Sequence, residues 1–507
     1  MGNHLFDLVR SRMPAPDAPF ALLDDGRRYV YADMVDASAR FANALVSLGV
    51  QPGDRVAVQV EKSVEALMLY LGAVRAGAIF LPLNTAYTPA EIEYFLGDAQ
   101  PAVFVCDPAK AEALKPYADK AGAKLETLGV WRSPDVSAGS LSDKALAAST
   151  AFADIARGPD DLAAILYTSG TTGRSKGAML SHDNLASNAL ALVDYWRFTK
   201  DDVLLHALPI FHTHGLFVAT NCVLFSGASM ILLPKFDPDQ VFKHLPQATC
   251  MMGVPTFYVR LLQDARLTTE ATKHMRLFVS GSAPLLAETH REWRERTGHA
   301  ILERYGMTET NMNTSNPYEG ERVAGTVGYP LPGVAARVVD PETGKGLGPD
   351  EIGMIEVKGP NVFKGYWRNP EKTAAEFKPD GFFITGDLGK IDSAGYVHIV
   401  GRGKDLIITG GYNVYPKEVE TEIDEMPGVI ESAVIGCPHR DFGEGVGAAI
   451  TAASIAQTLE QRLAKFKLPK QVFIVDDLPR NTMGKVQKNL LREQYKDIYA
   501  PKGKPGA

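Results

Sequence analysis

Apolar and polar positions alternate along the first third of the chain in two rhythms. From Tyr31 through Leu48 apolar residues return every three or four positions, the period of an amphipathic helix, and Gly49 is placed to close it. Arg55-Val56-Ala57-Val58-Gln59-Val60, Ala102-Val103-Phe104-Val105-Cys106 and Ala163-Ala164-Ile165-Leu166-Tyr167 are short, nearly continuous apolar runs and predict buried strands. Thr88-Pro89-Ala90-Glu91 joins a capping box to a proline at the first helical position and predicts a helix start. Strands alternating with helices imply mainly parallel sheets covered on both faces, which bind ligands beyond the carboxyl ends of their strands. Between Gly328 and Val400 the rhythm changes to short extended runs such as Ala336–Val339 and Met354–Lys358, set apart by Gly, Pro and Asp turns, and predicts a small antiparallel subdomain. After Gly401-Arg402-Gly403-Lys404-Asp405 a fresh strand, Leu406–Thr409, opens a compact βαβ-like segment that reaches Tyr499. The fold class is therefore α/β: a large N-terminal domain of mainly parallel sheets over residues 1–400, with an antiparallel β-subdomain at 328–400, a hinge at 401–405 and a small α+β C-terminal domain at 406–500. The tail 501–507 is Pro, Gly, Lys and Ala with nothing to bury, and is expected to be disordered.

A length of 507 residues suggests about three folding units and assures a sizeable interior. The net charge of -7 offers no basic field for nucleic acid. Four cysteines stand singly without metal-ligand spacing, which fits reduced thiols and a cytoplasmic location. The N-terminus has no basic start followed by an apolar core, and Phe6 stands where a myristoylation motif wants Ser or Thr. Gly215–Pro234 is uncharged and long enough to span a bilayer, but Asn221, Ser226-Gly227 and Ser229 cut it into a buried helix, a turn and a strand Met230–Leu233, so no membrane partner is expected.

Tyr167–Gly177 reads Tyr-Thr-Ser-Gly-Thr-Thr-Gly-Arg-Ser-Lys-Gly and leads to Ser181, a helix N-cap candidate. Its glycines free the backbone N–H groups to turn toward one point, Thr168, Ser169, Thr171 and Thr172 add hydroxyl donors, and Lys176 adds a mobile cation. Such a loop can cradle phosphate oxygens; by composition alone it fits a solvated linker equally well. It lacks the spacing of a Walker P-loop.

The string nevertheless resembles the signature loop of the acyl-adenylate-forming superfamily, which includes acyl-CoA synthetases, luciferases and peptide-synthetase adenylation domains. Further motifs of that superfamily follow in order: Pro209-Ile210-Phe211-His212, Glu303-Arg304-Tyr305-Gly306-Met307-Thr308-Glu309-Thr310, Gly365-Tyr366-Trp367, Thr385-Gly386-Asp387, Gly401-Arg402 and Asn481-Thr482-Met483-Gly484-Lys485. The resemblance implies an enzyme in which a carboxylate attacks the α-phosphorus of ATP, pyrophosphate leaves, and coenzyme A takes the acyl group from the acyl-AMP. It implies a nucleotide site made by Thr168, Ser169, Gly170, Thr171, Thr172, Gly173 and Lys176, by Ser282 and Ala283, and by Glu303, Arg304, Tyr305, Gly306, Met307 and Thr308. In that site Asp387 and Arg402 would hold the ribose end, and Thr168 and Glu309 would hold Mg²⁺. Lys485, His212, Thr308 and Glu309 are the implied catalytic residues, Lys404 the hinge residue, and Gly410 and Gly411 the lining of a pantetheine tunnel. Lysine acylation regulates some members at the motif lysine, which makes an acetyltransferase or deacetylase acting on Lys485 an implied partner.

Within the superfamily the chain is most similar to bacterial malonyl-CoA synthetases, through Gly253–Arg260, Ser280-Gly281-Ser282-Ala283 and Asn311–Asn316. The resemblance implies ATP, Mg²⁺, coenzyme A and malonate or methylmalonate as ligands. A second carboxylate needs a buried cation or strong donors, and Arg260, Ser282 and His212 are the expected malonate contacts. A fatty or aromatic acyl-CoA ligase and a non-catalytic nucleotide sensor are the alternatives. Two departures stand out: a short segment at Gly445–Lys465, and Phe382-Phe383-Ile384 before Thr-Gly-Asp where many members carry a basic residue.

Overall fold

The computed structural model describes residues 2–130, 139–168, 175–409, 412–439, 443–452, 467–481 and 485–499. The expected local signals appear as written. Tyr31–Ser47 is a helix, followed by Gly49 at φ +87°. Pro89–Ala99 starts with the reciprocal capping box: Glu91 accepts from the Thr88 N–H at 2.8 Å while Thr88 Oγ1 accepts from the Glu91 N–H at 3.4 Å. The uncharged run folds into a wide π-helical turn His214–Thr220, a helix Asn221–Ser226 and a strand Ser229–Leu232, all packed in the core. Among the described residues no helix is long and apolar enough to cross a membrane.

Two sheets carry the larger part of the chain, one of nine strands and one of six. Their centres are parallel: Val203–His206 pairs with Ser229–Leu232 and Cys250–Gly253, which pairs with Leu277–Ser280, which pairs with Leu302–Met307. Antiparallel strands sit at the edges. Large aromatic side chains, Trp196, Trp293, Tyr31, Tyr70 and Tyr258 among them, fill the layers between sheets and helices. All four cysteines are buried and free.

The antiparallel subdomain is a four-stranded sheet from Ala335–Val339 to Val397–Arg402, so it runs two residues past the expected boundary. Tyr329–Pro330 belongs instead to the edge of the nine-stranded sheet. Gly401 and Arg402 are therefore strand residues, and the turn that leaves the subdomain is Gly403–Asp405. The segment after it departs from the βαβ expectation. Val429–His439 pairs antiparallel with Gly443–Ala452, because the three intervening positions leave no room for a crossover helix. Among the described residues only Gln471–Ile474 joins that sheet in parallel. The expected tail at 501–507 and most of the short segment at 445–465 lie outside the described residues.

Candidate active site

The Gly/Thr stretch joins two strands that pair antiparallel. Leu162–Thr168 runs parallel to Ile79–Pro82, and Lys176–Ser181 returns against it with Thr168 opposite Lys176. Ser169, Gly170, Thr171, Thr172 and Gly173 lie outside the described residues, but both stems are fixed. The Tyr94 hydroxyl donates to the Ser175 carbonyl at 2.7 Å. Gly365-Tyr366-Trp367 runs beside the returning strand through Met179 N–H to Gly365 O at 2.9 Å and Trp367 N–H to Gly177 O at 2.7 Å. Ser181 then caps His182–Tyr195 as expected.

The Gly365-Tyr366-Trp367 motif thereby gains a role that the sequence did not give it. The Tyr366 ring lies 5.4 Å beneath Lys176 Nζ, and its hydroxyl stands 3.0 Å from Glu309 Oε1 and 2.6 Å from Glu376 Oε2. Glu309 is buried, and burial raises its carboxyl pKa. Thr308 lies in the turn between Leu302–Met307 and Asn311–Ser315.

Strand alternation divides the Glu303–Met307 motif between two faces. On one face the Tyr305 hydroxyl donates to Asp387 Oδ2 at 2.5 Å. Asp387 lies opposite Arg402 in the antiparallel register and pairs with its Nε at 2.7 Å. Glu303 is buried, accepts from the Gly325 N–H at 3.3 Å, and is pushed up to about 8 by burial. Arg304 points the other way, against Gly281 and toward His212, His214, Tyr258 and Cys222. Ser282 holds φ +72°, a left-handed conformation that costs a non-glycine residue about 1 kcal/mol or more, and its Oγ is 3.2 Å from His214 Nδ1. Ala283 follows it, half-buried. His212 Nδ1 accepts from the His214 N–H at 3.2 Å, and burial, with Arg304 and Lys485 nearby, pulls the imidazole down to about 4, so it is neutral at pH 7. His214 went unnoticed in the sequence, although it shares the His-Thr-His segment with His212.

Arg260, the expected carboxylate partner, is exposed on the helix Pro255–Leu262 and makes no ion pair among the described residues. The buried guanidinium on this side is Arg304, at 4 % exposure.

Lys485 completes the cluster from the far end of the chain. Asn481 Oδ1 accepts from the Lys485 N–H at 3.0 Å, and the Lys485 carbonyl accepts from the Asn481 N–H at 2.9 Å. Its side chain keeps water-accessible surface, yet enclosure by surrounding protein and the charge of Arg402 pull its pKa down to about 8, against the opposing pull of Asp387. Asp405, next to the expected hinge residue Lys404, pairs with Arg492 Nη2 at 2.5 Å. Gly410 and Gly411 lie outside the described residues. Asp387 thus gathers Tyr305, Arg402 and Lys485 around it from separate parts of the chain, a set that suits a ribose and a chain of phosphates.

A family model described as AMP-binding enzyme matches residues 10–367, and one described as AMP-binding enzyme C-terminal domain matches residues 418–485. The chain belongs to the AMP-binding enzyme family. Among relatives of this family, a malonate–CoA ligase from Arabidopsis thaliana is 33% identical over 94% of this chain and 86% of its own length. A feruloyl-CoA synthase from an Amycolatopsis species is 36% identical over 96% of this chain and 98% of its own. ATP-bound MatB from Rhodopseudomonas palustris is 66% identical and superimposes with a TM-score of 0.95 over 98% of this chain and 100% of that one. The apo form of the same MatB, at equal identity and coverage, gives 0.86, so the overall arrangement here is nearer the ATP-bound form.

Proposed function

We propose that this chain is an ATP-dependent malonate:CoA ligase that forms malonyl-AMP and then malonyl-CoA. The observation that carries the reading is the placing of Lys485 beside Asp387 and Arg402, themselves paired at 2.7 Å. Whole-length likeness to a malonate–CoA ligase supports the acid, and the polar acyl side made by Ser282, His212 and His214 supports a charged substrate over an aliphatic one.

In the first half-reaction a malonate oxygen attacks the α-phosphorus, forming a new P–O bond, and the bond to the bridging oxygen of pyrophosphate breaks. Two anions meet, so the chain's contribution is positive charge and oriented donors. The hairpin residues Thr168 to Lys176 would cradle the phosphates, Asp387 would accept from the ribose hydroxyls, and Lys485 would neutralise charge growing on the α-phosphate oxygens. Glu309 and the Thr168 hydroxyl are the proposed Mg²⁺ ligands. One buried carboxylate and one hydroxyl fit an ion that takes one or two protein oxygens and completes its shell with water and phosphate, and the ion would offset phosphate charge. In the second half-reaction the coenzyme A sulfur attacks the acyl carbon and AMP leaves. The lid would turn about Lys404, withdrawing Lys485 and bringing Gly410 and Gly411 to the pantetheine arm. Arg260, Ser282 and His212 are proposed to line the malonate end. Acetylation of Lys485 would remove its charge and silence the first step. Four buried free thiols agree with a reducing compartment, and we assign the cytoplasm.

Pyrophosphate release with malonate, methylmalonate, acetate, octanoate and coumarate tests the substrate. A malonate kcat/KM at least about tenfold above the monoacids is expected, corresponding to about 1.4 kcal/mol of discrimination. Equal or better turnover of coumarate would favour an aromatic acyl-CoA ligase, and ATP binding without any turnover would favour a sensor. Tyr366→Phe removes the hydroxyl beside Glu309. A loss of roughly tenfold in adenylation kcat/KM, with melting temperature little changed, is the expected outcome.

A further inference from the structure

We propose that Arg492 is a positioning residue for the adenylation step: by holding Asp405, it keeps that carboxylate from capturing Lys485 and leaves the lysine free to meet the α-phosphate. The inference rests on the reading of Lys485 as the adenylation lysine and adds a residue that the sequence did not single out.

Acids and bases are unevenly matched around Lys485. It lies within electrostatic reach of Arg402, Asp387, Lys404 and Asp405, and His212 feels its charge in turn. Both carboxylates are taken by arginines: Asp387 by Arg402 Nε at 2.7 Å, and Asp405 by Arg492 Nη2 at 2.5 Å. Lys404 and Lys485 are left without an ion pair among the described residues. Arginine keeps its proton at any ordinary pH, so each of these pairs outlasts the titration of the lysines. Two uncommitted ammonium groups beside two satisfied carboxylates suit an incoming polyphosphate.

The fold places Arg492 for this task. The Gln487 N–H donates to the Pro479 carbonyl at 2.7 Å, and the helix Lys488–Tyr495 follows directly. Leu491 is buried in the lid core with Ile435 and Cys437, and the next residue, Arg492, reaches back 87 positions to Asp405 in the turn Gly403–Asp405. The other cations flanking Lys485 are matched in the same way, Lys488 by Glu420 and Arg480 by Glu431. From Arg480 to Arg492, Lys485 is thus the one basic residue with no acidic partner among the described residues. The Asp405 side chain is 14 % exposed, so without its arginine it would be poorly hydrated and would draw in another cation. A lysine drawn to Asp405 is withdrawn from the phosphate.

Arg492→Gln, Asp405→Asn, the double variant and Arg492→Lys would be assayed for pyrophosphate release with malonate and for malonyl-CoA formation from supplied malonyl-AMP, with melting curves for each. Arg492→Gln should lower adenylation kcat by about 30-fold, the worth of one charged hydrogen bond withheld from the phosphate, and leave the thioester step within about threefold. The alkaline limb of its adenylation kcat/KM for ATP should move up by about one pH unit, because an unpaired Asp405 favours the charged lysine. In Asp405→Asn that limb should move down. The second substitution should repair the first, with the double variant recovering adenylation to within about fivefold of the unaltered enzyme. Arg492→Lys keeps a charge beside Asp405 and should also stay within about fivefold. A pair that merely stiffens the lid gives the opposite pattern, a double variant no better than Arg492→Gln and a limb that stays in place, and that result overturns the assignment. If Lys485→Ala retains adenylation, the reading of Lys485 fails first, and this assignment falls with it. Should the variants not fold, a crystal structure of the unaltered protein with ATP decides. Asp405 on Arg492 with Lys485 at the α-phosphate supports the proposal, and Asp405 within about 3 Å of Lys485 overturns it.

Discussion

Lys485→Ala should lose adenylate formation by roughly three orders of magnitude while thioester formation from supplied malonyl-AMP stays within a fewfold of the unaltered enzyme. Removing a single preorganised donor to a developing anion costs about 10²–10³ in rate, and Lys485 would bring a full charge as well as donors. The split between half-reactions follows from the proposed scheme, in which the lysine serves the first step and would leave when the lid turns. Pyrophosphate release and malonyl-CoA formation measured separately check it, and equal loss in both would contradict the two-arrangement scheme. The pH profile gives a second check on the same residue. With its pKa pulled down to about 8, Lys485 is charged below that pH and loses its charge as pH rises through it. Adenylation kcat/KM for ATP should therefore fall on the alkaline side near pH 8, since that parameter reports the free enzyme. The thioester step should lack that limb.

Asp387→Ala should raise the KM for ATP by about 100-fold or more. Two hydrogen bonds from ribose hydroxyls to a charged acceptor would be lost, at about 1.5–3 kcal/mol each. The same change strips Arg402 of its 2.7 Å partner and Tyr305 of its acceptor, so the melting temperature should fall as well. Asp387→Asn, which keeps an acceptor and the shape, should recover most of the stability and little of the affinity. Isothermal titration with ATP and thermal melts of both variants separate the two effects. An Asp387→Ala protein binding ATP as tightly as the unaltered one would remove Asp387 from the nucleotide site.

The parts of this molecule that were legible in its residues are those decided locally. Thr88 and Glu91 are three positions apart and satisfy each other's N–H groups, so the helix start at Pro89 is written in four letters. The strands Arg55–Gln59 and Val103–Cys106 are buried on both faces and read as unbroken apolar runs. Where the structure departs, the deciding contact is distant or the pattern is masked by polar side chains. Leu302–Met307 is a strand, but Glu303, Arg304 and Tyr305 conceal its period, and without the period the motif looks like one surface rather than two. The Tyr305–Asp387 contact joins positions 82 residues apart, and no spacing rule announces it. Val429–His439 and Gly443–Ala452 have the composition of strands in either orientation, and only the brevity of their connection makes them antiparallel.

The segment Lys364–Trp367 has a consequence for how this protein coexists with its neighbours in a crowded solution. Lys176–Ser181 is the last strand of its sheet, and a bare outermost strand invites pairing with another polypeptide. Here Lys364 N–H donates to the Met179 carbonyl at 2.8 Å and Trp367 N–H to that of Gly177 at 2.7 Å, with the Met179 N–H returning to Gly365. The open rim of the sheet is thereby sealed from within, which guards the chain against strand-to-strand self-association at this edge.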